Sequence, residues 1–215
     1  MRVAVIGAGR IGGNVARLLV AAGHRVTVSG RDSERLRRRA EETGALPAPA
    51  ADAVRDAEVV VVAVPWDALP EAIAGMGPLD GRILIDTTNQ FGSGPKPAPG
   101  ETAAAFNVAR MPGARYTKCF NTLTSAFQEL TAHRDPPVVQ WICGDDDEAV
   151  EVVAGLVRDA GFAPVALGGT RDCAVMEAPR REGAVYGEEY RPAEAREVAA
   201  AVAAGRPIPP APAYG

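Results

Sequence analysis

Residue types that mark several classes of protein are scarce in this chain of 215 residues. It has two histidines and three cysteines, and Cys119, Cys143 and Cys173 are widely spaced, with no C-x-x-C motif. The sequence therefore predicts no metal site and no disulfide, and we expect the cysteines to be small buried side chains. No Ser-His-Asp or Cys-His arrangement stands out, which favours chemistry carried by a bound cofactor.

Long hydrophobic runs and an excess of positive charge are also lacking. No stretch approaches the roughly twenty apolar residues of a membrane-spanning helix, and the first apolar run is too short for a signal peptide. The formal net charge of −4 argues against a nucleic-acid-binding surface. We expect a soluble cytoplasmic protein without membrane or nucleic-acid partners. A hydrophobic fraction of 47% is enough to build the core of an α/β domain.

The strongest pattern lies at the start of the chain, where Gly7, Gly9 and Gly12 form a G-x-G-x-x-G motif. An apolar run precedes the motif, and a helical pattern and a second β-rich run follow it. In this context Gly7 permits a tight turn, Gly9 lets a pyrophosphate approach the backbone, and Gly12 allows close helix packing. The helix start at Arg10 and Ile11 offers free N–H groups to phosphates. The alternative is a glycine-rich turn that binds nothing.

The end of the second β-rich run indicates which dinucleotide binds. NAD-binding proteins place an acidic residue here, whereas this chain has Ser29, Gly30 and Arg31, with Arg35 one helical turn later. A guanidinium pairs with a 2′-phosphate and a carboxylate repels it, so the sequence favours NADP(H). Asp32 is predicted to cap the next helix instead. Arg35 has the alternative role of a solvated helix residue.

The alternation of β-rich and helical segments along residues 1–178 predicts an α/β fold, a Rossmann-type, doubly wound and mostly parallel sheet in a single domain. The nearly continuous β-branched run at 58–64 is typical of a central strand that is buried on both faces. The glycine- and proline-rich loop at 87–100 leaves a strand end, where ligands bind in this fold. A helix is predicted at 170–178, before Pro179, and another at 192–204, where Pro192 suits the first turn.

The residues that follow the predicted strands are the remaining candidates for the site. Those expected to bind the cofactor are Val64, Pro65, Trp66, Thr87 and Asn89, and those expected to lie at the acceptor as catalytic residues are Asn121 and Thr122. Trp66 has the alternative role of a core anchor at a helix start. Lys118 is expected to be structural and paired with a carboxylate.

Several segments together resemble the coenzyme F-420-dependent NADP oxidoreductase family, which includes the NADPH-binding domain of membrane metalloreductases. The segments are GAGRIGGNVARLL, VAVPWDAL, IDTTN, MPGARYTKCFNTL and ICGDDDEA. The resemblance implies a Rossmann-type domain, usually a homodimer. It also implies hydride transfer between NADPH and a small-molecule acceptor that stacks on the nicotinamide, either the deazaflavin F-420 or a flavin, FMN or FAD.

The chain departs from this family at its C-terminus, where Pro179 interrupts the long helix that the resemblance implies. We expect residues 179–215 to be an extension that makes dimer or pocket contacts. Its Tyr186 and Tyr190 are expected either to cover a neighbouring subunit's pocket or to pack on the chain's own sheet.

Two classes of function remain open at this point. The first is an enzyme, an NADP-dependent oxidoreductase that reduces F-420, a flavin or a small organic substrate. The second is a module that senses NADP(H) without catalysis, and the fold alone does not separate the two.

Overall fold

The computed structural model describes residues 1–214, and strands and helices alternate along them. The strands are β1 (Arg2–Ile6), β2 (Arg25–Ser29), β3 (Leu46–Pro47), β4 (Val59–Val62), β5 (Ile83–Asp86), β6 (Arg115–Lys118), β7 (Val139–Gly144) and β8 (Ala163–Ala166). The helices are α1 (Arg10–Ala21), α2 (Ser33–Thr43), α3 (Ala50–Asp56), α4 (Leu69–Met76), α5 (Ala103–Arg110), α6 (Ser125–Thr131), α7 (Asp147–Asp159) and α8 (Pro192–Ala203). Short 3-10 helices span Trp66–Ala68 and Cys173–Met176.

The strands form an eight-stranded sheet in the order β3-β2-β1-β4-β5-β6-β7-β8. Neighbouring strands are parallel except for β6 and β7, which pair antiparallel. The predicted doubly wound, mostly parallel sheet is thus confirmed. Because the chain winds outward from β1 to β3 and then returns to place β4 beside β1, the strand order reverses between β1 and β4. In open α/β sheets this reversal marks the crevice where ligands bind.

Helices cover both faces of the sheet, and each face has its own hydrophobic core. On β4, Val59 and Val61 point into the core beneath α1, α2, α6 and α7, while Val60 and Val62 point into the core beneath α3, α4, α5 and α8. All four valines are fully buried, which explains the unbroken β-branched run in the sequence. The two filled cores hold the carboxyl ends of β1, β4, β5 and β6 at one edge.

Two predicted elements differ from the structure. The helix predicted at 170–178 is only the short 3-10 helix Cys173–Met176, and the Glu177 carboxylate beyond it accepts hydrogen bonds from the backbone N–H groups of Ala103 and Ala104. Residue 177 therefore caps α5 instead of continuing a helix. Helix α6 was missed, although Thr124 caps it by accepting a hydrogen bond from the N–H of Phe127.

The segment after Pro179 packs on the chain's own sheet. Val185, Tyr190 and Val198 are buried in the same core as Trp141 of β7. The rings of Tyr190 and Trp141 meet edge to face with centroids 5.3 Å apart. Tyr190 therefore packs on the sheet of its own chain, which is one of the two alternatives that the sequence left open. The pocket and dimer roles of residues 179–215 stay predictions.

A buried ion pair joins the ends of β5 and β6. Asp86 and Lys118 are the last residues of these strands and stand opposite each other in the sheet register. The Lys118 Nζ lies 3.5 Å from the Asp86 Oδ2, and neither side chain is exposed at all. Asp86 also accepts hydrogen bonds from the Tyr116 hydroxyl at 2.5 Å and the Asn107 amide at 2.8 Å. The structure thus pairs Lys118 with a carboxylate, as expected.

The partners of this pair keep both groups charged. Burial alone would raise the pKa of Asp86, but the Lys118 ammonium, the Tyr116 hydroxyl and the N–H of Thr88 lower that pKa below its ordinary value. Burial alone would lower the pKa of Lys118, but Asp86 and Glu177 raise it. The Lys118 Nζ also donates to the Thr88 carbonyl oxygen at 2.6 Å. The pair therefore fixes the turn that follows β5.

Replacing Lys118 by methionine should lower the free energy of unfolding by about 3–5 kcal/mol at neutral pH, because Asp86 would remain buried without its cation. The double variant Lys118→Met/Asp86→Asn should recover much of this loss, since it buries no charge. Urea unfolding of the three proteins measures both effects.

The pH dependence provides a control for this prediction. In the wild type the lowered pKa of Asp86 contributes stability above the ordinary value of 3.8, and this contribution is lost as the pH falls through the folded-state value. In Lys118→Met, burial raises that pKa instead, so the penalty should shrink as the pH falls toward about 4. A penalty that is absent, or equal at both pH values, would contradict this role of the pair.

Candidate nucleotide-binding site

The glycine motif forms the turn between β1 and α1, and two of its glycines are required by packing. Gly7 has a φ of +103°, and a Cβ added there would lie 2.4 Å from the Ala63 carbonyl oxygen. A Cβ on Gly12 would lie 2.0 Å from the carbonyl oxygen of Gly7 itself. Side chains at these positions would push α1 away from β1 and β4. The roles predicted for Gly7 and Gly12, a tight turn and close helix packing, agree with this geometry.

Gly9 is different, because nothing lies within 4 Å of a Cβ added to it. Its φ of −76° and ψ of −155° suit any residue, so neither backbone strain nor packing requires a glycine there. Gly9 borders the crevice beyond the turn. A side chain at this position would occupy the space that a pyrophosphate needs to reach the backbone, so the motif fits a dinucleotide.

The N-terminus of α1 is suited to an anion. Its first N–H groups, at Arg10, Ile11 and Gly12, have no partner within the helix itself. The helix has no side-chain cap and no acidic residue in its first turn. By contrast, side chains cap α2, α5, α6 and α7. The free N–H groups and the positive end of the helix dipole at α1 would stabilise a bound phosphate.

A crevice of about 540 Å³ opens beside this turn, at the reversal of strand order. It brings together predicted residues from three parts of the chain. Those that line it are Gly7, Gly9, Ser29, Gly30, Arg31, Arg35, Val64 and Pro65. The crevice therefore joins the glycine turn to the end of β2 and to the segment that follows β4.

Arg31 and Arg35 line one end of the crevice, which we call the arginine end. On the β2 side of this end, no carboxylate among the lining residues is free of hydrogen bonds. Asp32 caps α2, where its carboxylate accepts hydrogen bonds from the N–H groups of Glu34 at 3.1 Å and Arg35 at 2.9 Å. Arg31 and Arg35 are exposed at the crevice wall. Their guanidinium groups are therefore accessible to a 2′-phosphate, and the predicted contact stays a prediction.

Glu71 of α4 is a crevice residue that sequence reasoning missed. Its carboxylate lies 3.2 Å from the Arg31 guanidinium, and the two side chains are 69% and 76% exposed. Nothing in the sequence near Glu71 marks it, because it reaches the crevice only through the packing of α4 beside α3. A 2′-phosphate bound at Arg31 would have to compete with this carboxylate.

Trp66 lies outside the crevice wall. Its side chain is buried, and its indole N–H donates to the Pro95 carbonyl oxygen at 2.8 Å. Its ring stacks on Phe106 with centroids 6.1 Å apart. With these contacts Trp66 anchors the core at a helix start, which is the alternative role that the sequence left open. The same contacts also tie the loop at 87–100 to the start of α4.

The polar residues after β5 and β6 meet each other directly. The Asn89 amide nitrogen donates to the Asn121 carbonyl oxygen at 2.9 Å, and the Asn121 amide nitrogen donates to the Asn89 Oδ1 at 3.2 Å. The Thr87 hydroxyl donates to the Val62 carbonyl oxygen at 3.2 Å, so it joins β5 to β4. Thr122 follows Asn121 and is buried. These residues do not line the crevice but lie together at the neighbouring strand ends.

Features that mark other protein classes are absent from residues 1–214. No group of three or more His, Cys, Asp or Glu residues there could hold a metal ion. The three cysteines are buried, and none of them is in a disulfide. No helix in the described part of the chain is both long enough and apolar enough to cross a membrane.

Comparison with known families identifies the part of the chain that forms the crevice. Residues 2–90 match the family described as NADP oxidoreductase, coenzyme F420-dependent. This segment, which is less than half of the chain, is similar to that family. The resemblance drawn from the sequence is confirmed there, and with it the expectation of an NADP-dependent oxidoreductase. No curated protein matches the sequence.

Solved structures extend the likeness beyond the family segment. A hypothetical protein from Sinorhizobium meliloti aligns with a TM-score of 0.79 at 26% identity, over 89% of this chain and 95% of that chain. A protein from Arthrobacter sp. FB24, provisionally named an F420-dependent NADP reductase, aligns with a TM-score of 0.67 at 26% identity, over 79% and 86%. A reductive aminase from Aspergillus terreus in complex with NADPH aligns at 21% identity with a TM-score of 0.60, over 79% of this chain and 56% of that chain, and shares the fold.

The glycines allow a matched test of the phosphate site. Gly9→Val should fold like the wild type, because its Cβ meets no atom within 4 Å, but should weaken NADPH binding by about tenfold or more through lost phosphate contacts. Gly12→Val should lower the melting temperature, since its Cβ would clash with Gly7. Calorimetric binding and thermal unfolding measure the two effects. Wild-type NADPH affinity in a folded Gly9→Val protein would contradict the phosphate assignment.

Substitutions of Arg31 and Glu71 should change the affinity for NADPH in opposite directions. Arg31→Ala should weaken NADPH binding about tenfold while leaving NADH nearly unchanged, because only NADPH carries the 2′-phosphate. Glu71→Gln should strengthen NADPH binding by up to about fivefold, since it removes an exposed competitor for Arg31. Arg38→Ala, elsewhere on α2, is the control and should change neither affinity. Equal losses for NADPH and NADH in Arg31→Ala would argue against a 2′-phosphate contact.

Proposed function

We propose that the protein transfers hydride between NADP(H) and a flavin-like acceptor, either the deazaflavin F-420 or a flavin such as FMN. The observation that carries this proposal is the continuity of two sites along one edge of the sheet. The NADP(H) crevice ends at Val64 and Pro65 after β4, and the polar residues after β5 and β6 lie beside it. Hydride transfer needs two rings held in contact, and this edge has strand ends to position both.

The chain's own groups would contribute binding and orientation. The glycine turn and the start of α1 would hold the pyrophosphate, and Ser29, Gly30, Arg31 and Arg35 would hold the phosphorylated ribose. Bound NADPH supplies the hydride from its nicotinamide. Pro65 follows β4 and cannot donate a backbone hydrogen bond, so it suits a point where the chain leaves the sheet beside the nicotinamide ribose. Asn121 and Thr122 would orient the acceptor.

The family match supports NADP(H), and the acceptor is the part that the proposal adds. A small organic substrate is the second acceptor class, and a module that binds NADP(H) without turnover is the alternative to an enzyme. We also propose a homodimer, on the ground of the family resemblance.

Mixing the protein with NADPH and oxidised F-420 or FMN should produce a loss of NADPH absorbance at a rate proportional to enzyme concentration. NADH should support far less turnover and bind far more weakly by calorimetry, because it lacks the group that Arg31 and Arg35 bind. Folded Gly9→Val serves as the control and should be inactive.

Three results would separate the alternatives. NADPH oxidation with an imine or carbonyl compound but with neither ring acceptor would assign a small organic substrate. Tight NADPH binding without turnover on any acceptor would favour the sensing module. Equal wild-type affinities for NADPH and NADH would contradict the choice of cofactor.

A further inference from the structure

Three buried polar atoms at the ends of β5 and β6 have no hydrogen-bond partner within residues 1–214. They are the hydroxyl oxygens of Thr88 and Thr122 and the Oδ1 of Asn121. The three side chains are only 3%, 2% and 4% exposed. Buried polar atoms are nearly always hydrogen-bonded, so three unpartnered atoms on neighbouring strand ends make this a candidate place for a bound molecule or water to supply the partners. We call these three residues the polar floor.

A segment from the C-terminal part of the chain lies against the polar floor. The Asn121 amide nitrogen donates to the Met176 carbonyl oxygen at 2.7 Å, and the Ala178 N–H donates to the Asn89 Oδ1 at 3.3 Å. The Gly187 N–H donates to the Thr122 carbonyl oxygen at 2.8 Å. Residues 176–187, which we call the C-terminal strap, are therefore attached at both ends to the residues of the strand ends.

Two aromatic side chains lie next to these attachments. Phe91 is 56% exposed, and its N–H donates to the Asn89 carbonyl oxygen at 2.7 Å. Tyr186 immediately precedes Gly187 in the strap. The two rings face each other at an angle of 55° with centroids 6.3 Å apart. One ring comes from the loop after β5 and the other from the strap, so both border the edge that holds the polar floor.

An aromatic pair of which Phe91 is exposed and Tyr186 is partly buried, beside unpartnered polar atoms, suits one kind of ligand. Aromatic side chains stack on or pack edge to face with planar rings. A few well-placed polar groups in such a site fix the orientation of the ligand. A planar heterocycle with hydrogen-bonding groups along one edge satisfies both requirements. A small aliphatic imine or ketone would leave the aromatic pair unused.

We propose that Phe91 and Tyr186 form the apolar wall of the acceptor site, and that Thr88, Asn121 and Thr122 bind the polar edge of a planar aromatic acceptor. This assignment rests on the proposed function and names the residues that select the acceptor. It places the C-terminal extension at the site of its own chain through Tyr186. The specificity of the enzyme then depends on the strap.

The test uses FMN and F-420 as probes, with the full-length protein saturated with NADP⁺ and binding followed by quenching of probe fluorescence. Phe91→Ala and Tyr186→Ala should each raise the Kd for the probes by about five- to tenfold. Tyr186→Phe should stay within about twofold of the wild type, because the ring is retained. Leu46→Ala should bind the probes normally, because it removes an exposed apolar side chain from β3, a terminal strand that three strands separate from β5.

Thr122→Val provides an independent variant for the polar floor. It removes a buried hydroxyl that has no partner in the protein and retains the side-chain shape, so stability should be unchanged or higher. Probe binding should nevertheless weaken about fivefold or more, since a hydrogen bond to the ligand is lost. In turnover, the KM for the acceptor should rise in all three weakened variants, while NADPH affinity stays within about twofold of the wild type.

The outcomes distinguish this assignment from the proposed function. Wild-type turnover of FMN or F-420 together with unchanged probe affinities in the variants would overturn the assignment and leave the function standing. Probe binding that depends on these residues, without hydride transfer, would support the assignment and contradict the function. A wild-type protein that binds neither probe would overturn the assignment, and NADPH oxidation with a small organic acceptor would then define the function.

Discussion

The buried pair of Asp86 and Lys118 determines how the carboxyl edge of the sheet is built. A carboxylate and an ammonium without solvent contact are tolerated only when other hydrogen bonds satisfy them. Here Tyr116 and Asn107 donate to the carboxylate, and Lys118 donates to the carbonyl oxygen of Thr88. These bonds connect β5, β6, α5 and the turn after β5. The residues that follow, Asn89 and Asn121, are therefore held in contact at one place.

The two halves of the candidate site are constructed in different ways. The nucleotide half uses backbone: Gly7 and Gly12 bring strand and helix together, and the uncapped start of α1 presents N–H groups. The acceptor half uses side chains and contacts between distant parts of the chain, such as the bond from Asn121 to Met176. The first construction depends on a short run of sequence. The second requires the complete sheet and the C-terminal strap.

This difference explains what the sequence could predict. The glycine motif, the arginine residues after β2 and the alternation of strands and helices follow from local patterns, because glycine conformations, β-branched runs and caps act within a few residues. Glu71 and the place of Tyr190 depend on which helix packs beside which strand, and no local pattern carries that information. The predicted helix at 170–178 was wrong because Glu177 caps α5, a contact across more than seventy positions. Helix α6 does have a local signal in Thr124, a residue type that caps helices.

The segment that matches the family contains most of the predicted nucleotide site but little of the proposed acceptor site. The match ends at residue 90, so it includes the whole glycine turn, the arginine end and Asn89. Asn121, Thr122 and the C-terminal strap all follow that boundary, and Phe91 lies next to it. The similarity of this segment to the family therefore supports the cofactor much more directly than the acceptor. Because the strap contacts the polar floor through backbone groups, its sequence can change while its attachment persists. Under the proposed assignment, a substitution at Tyr186 would therefore change the acceptor that binds while leaving the strap attached.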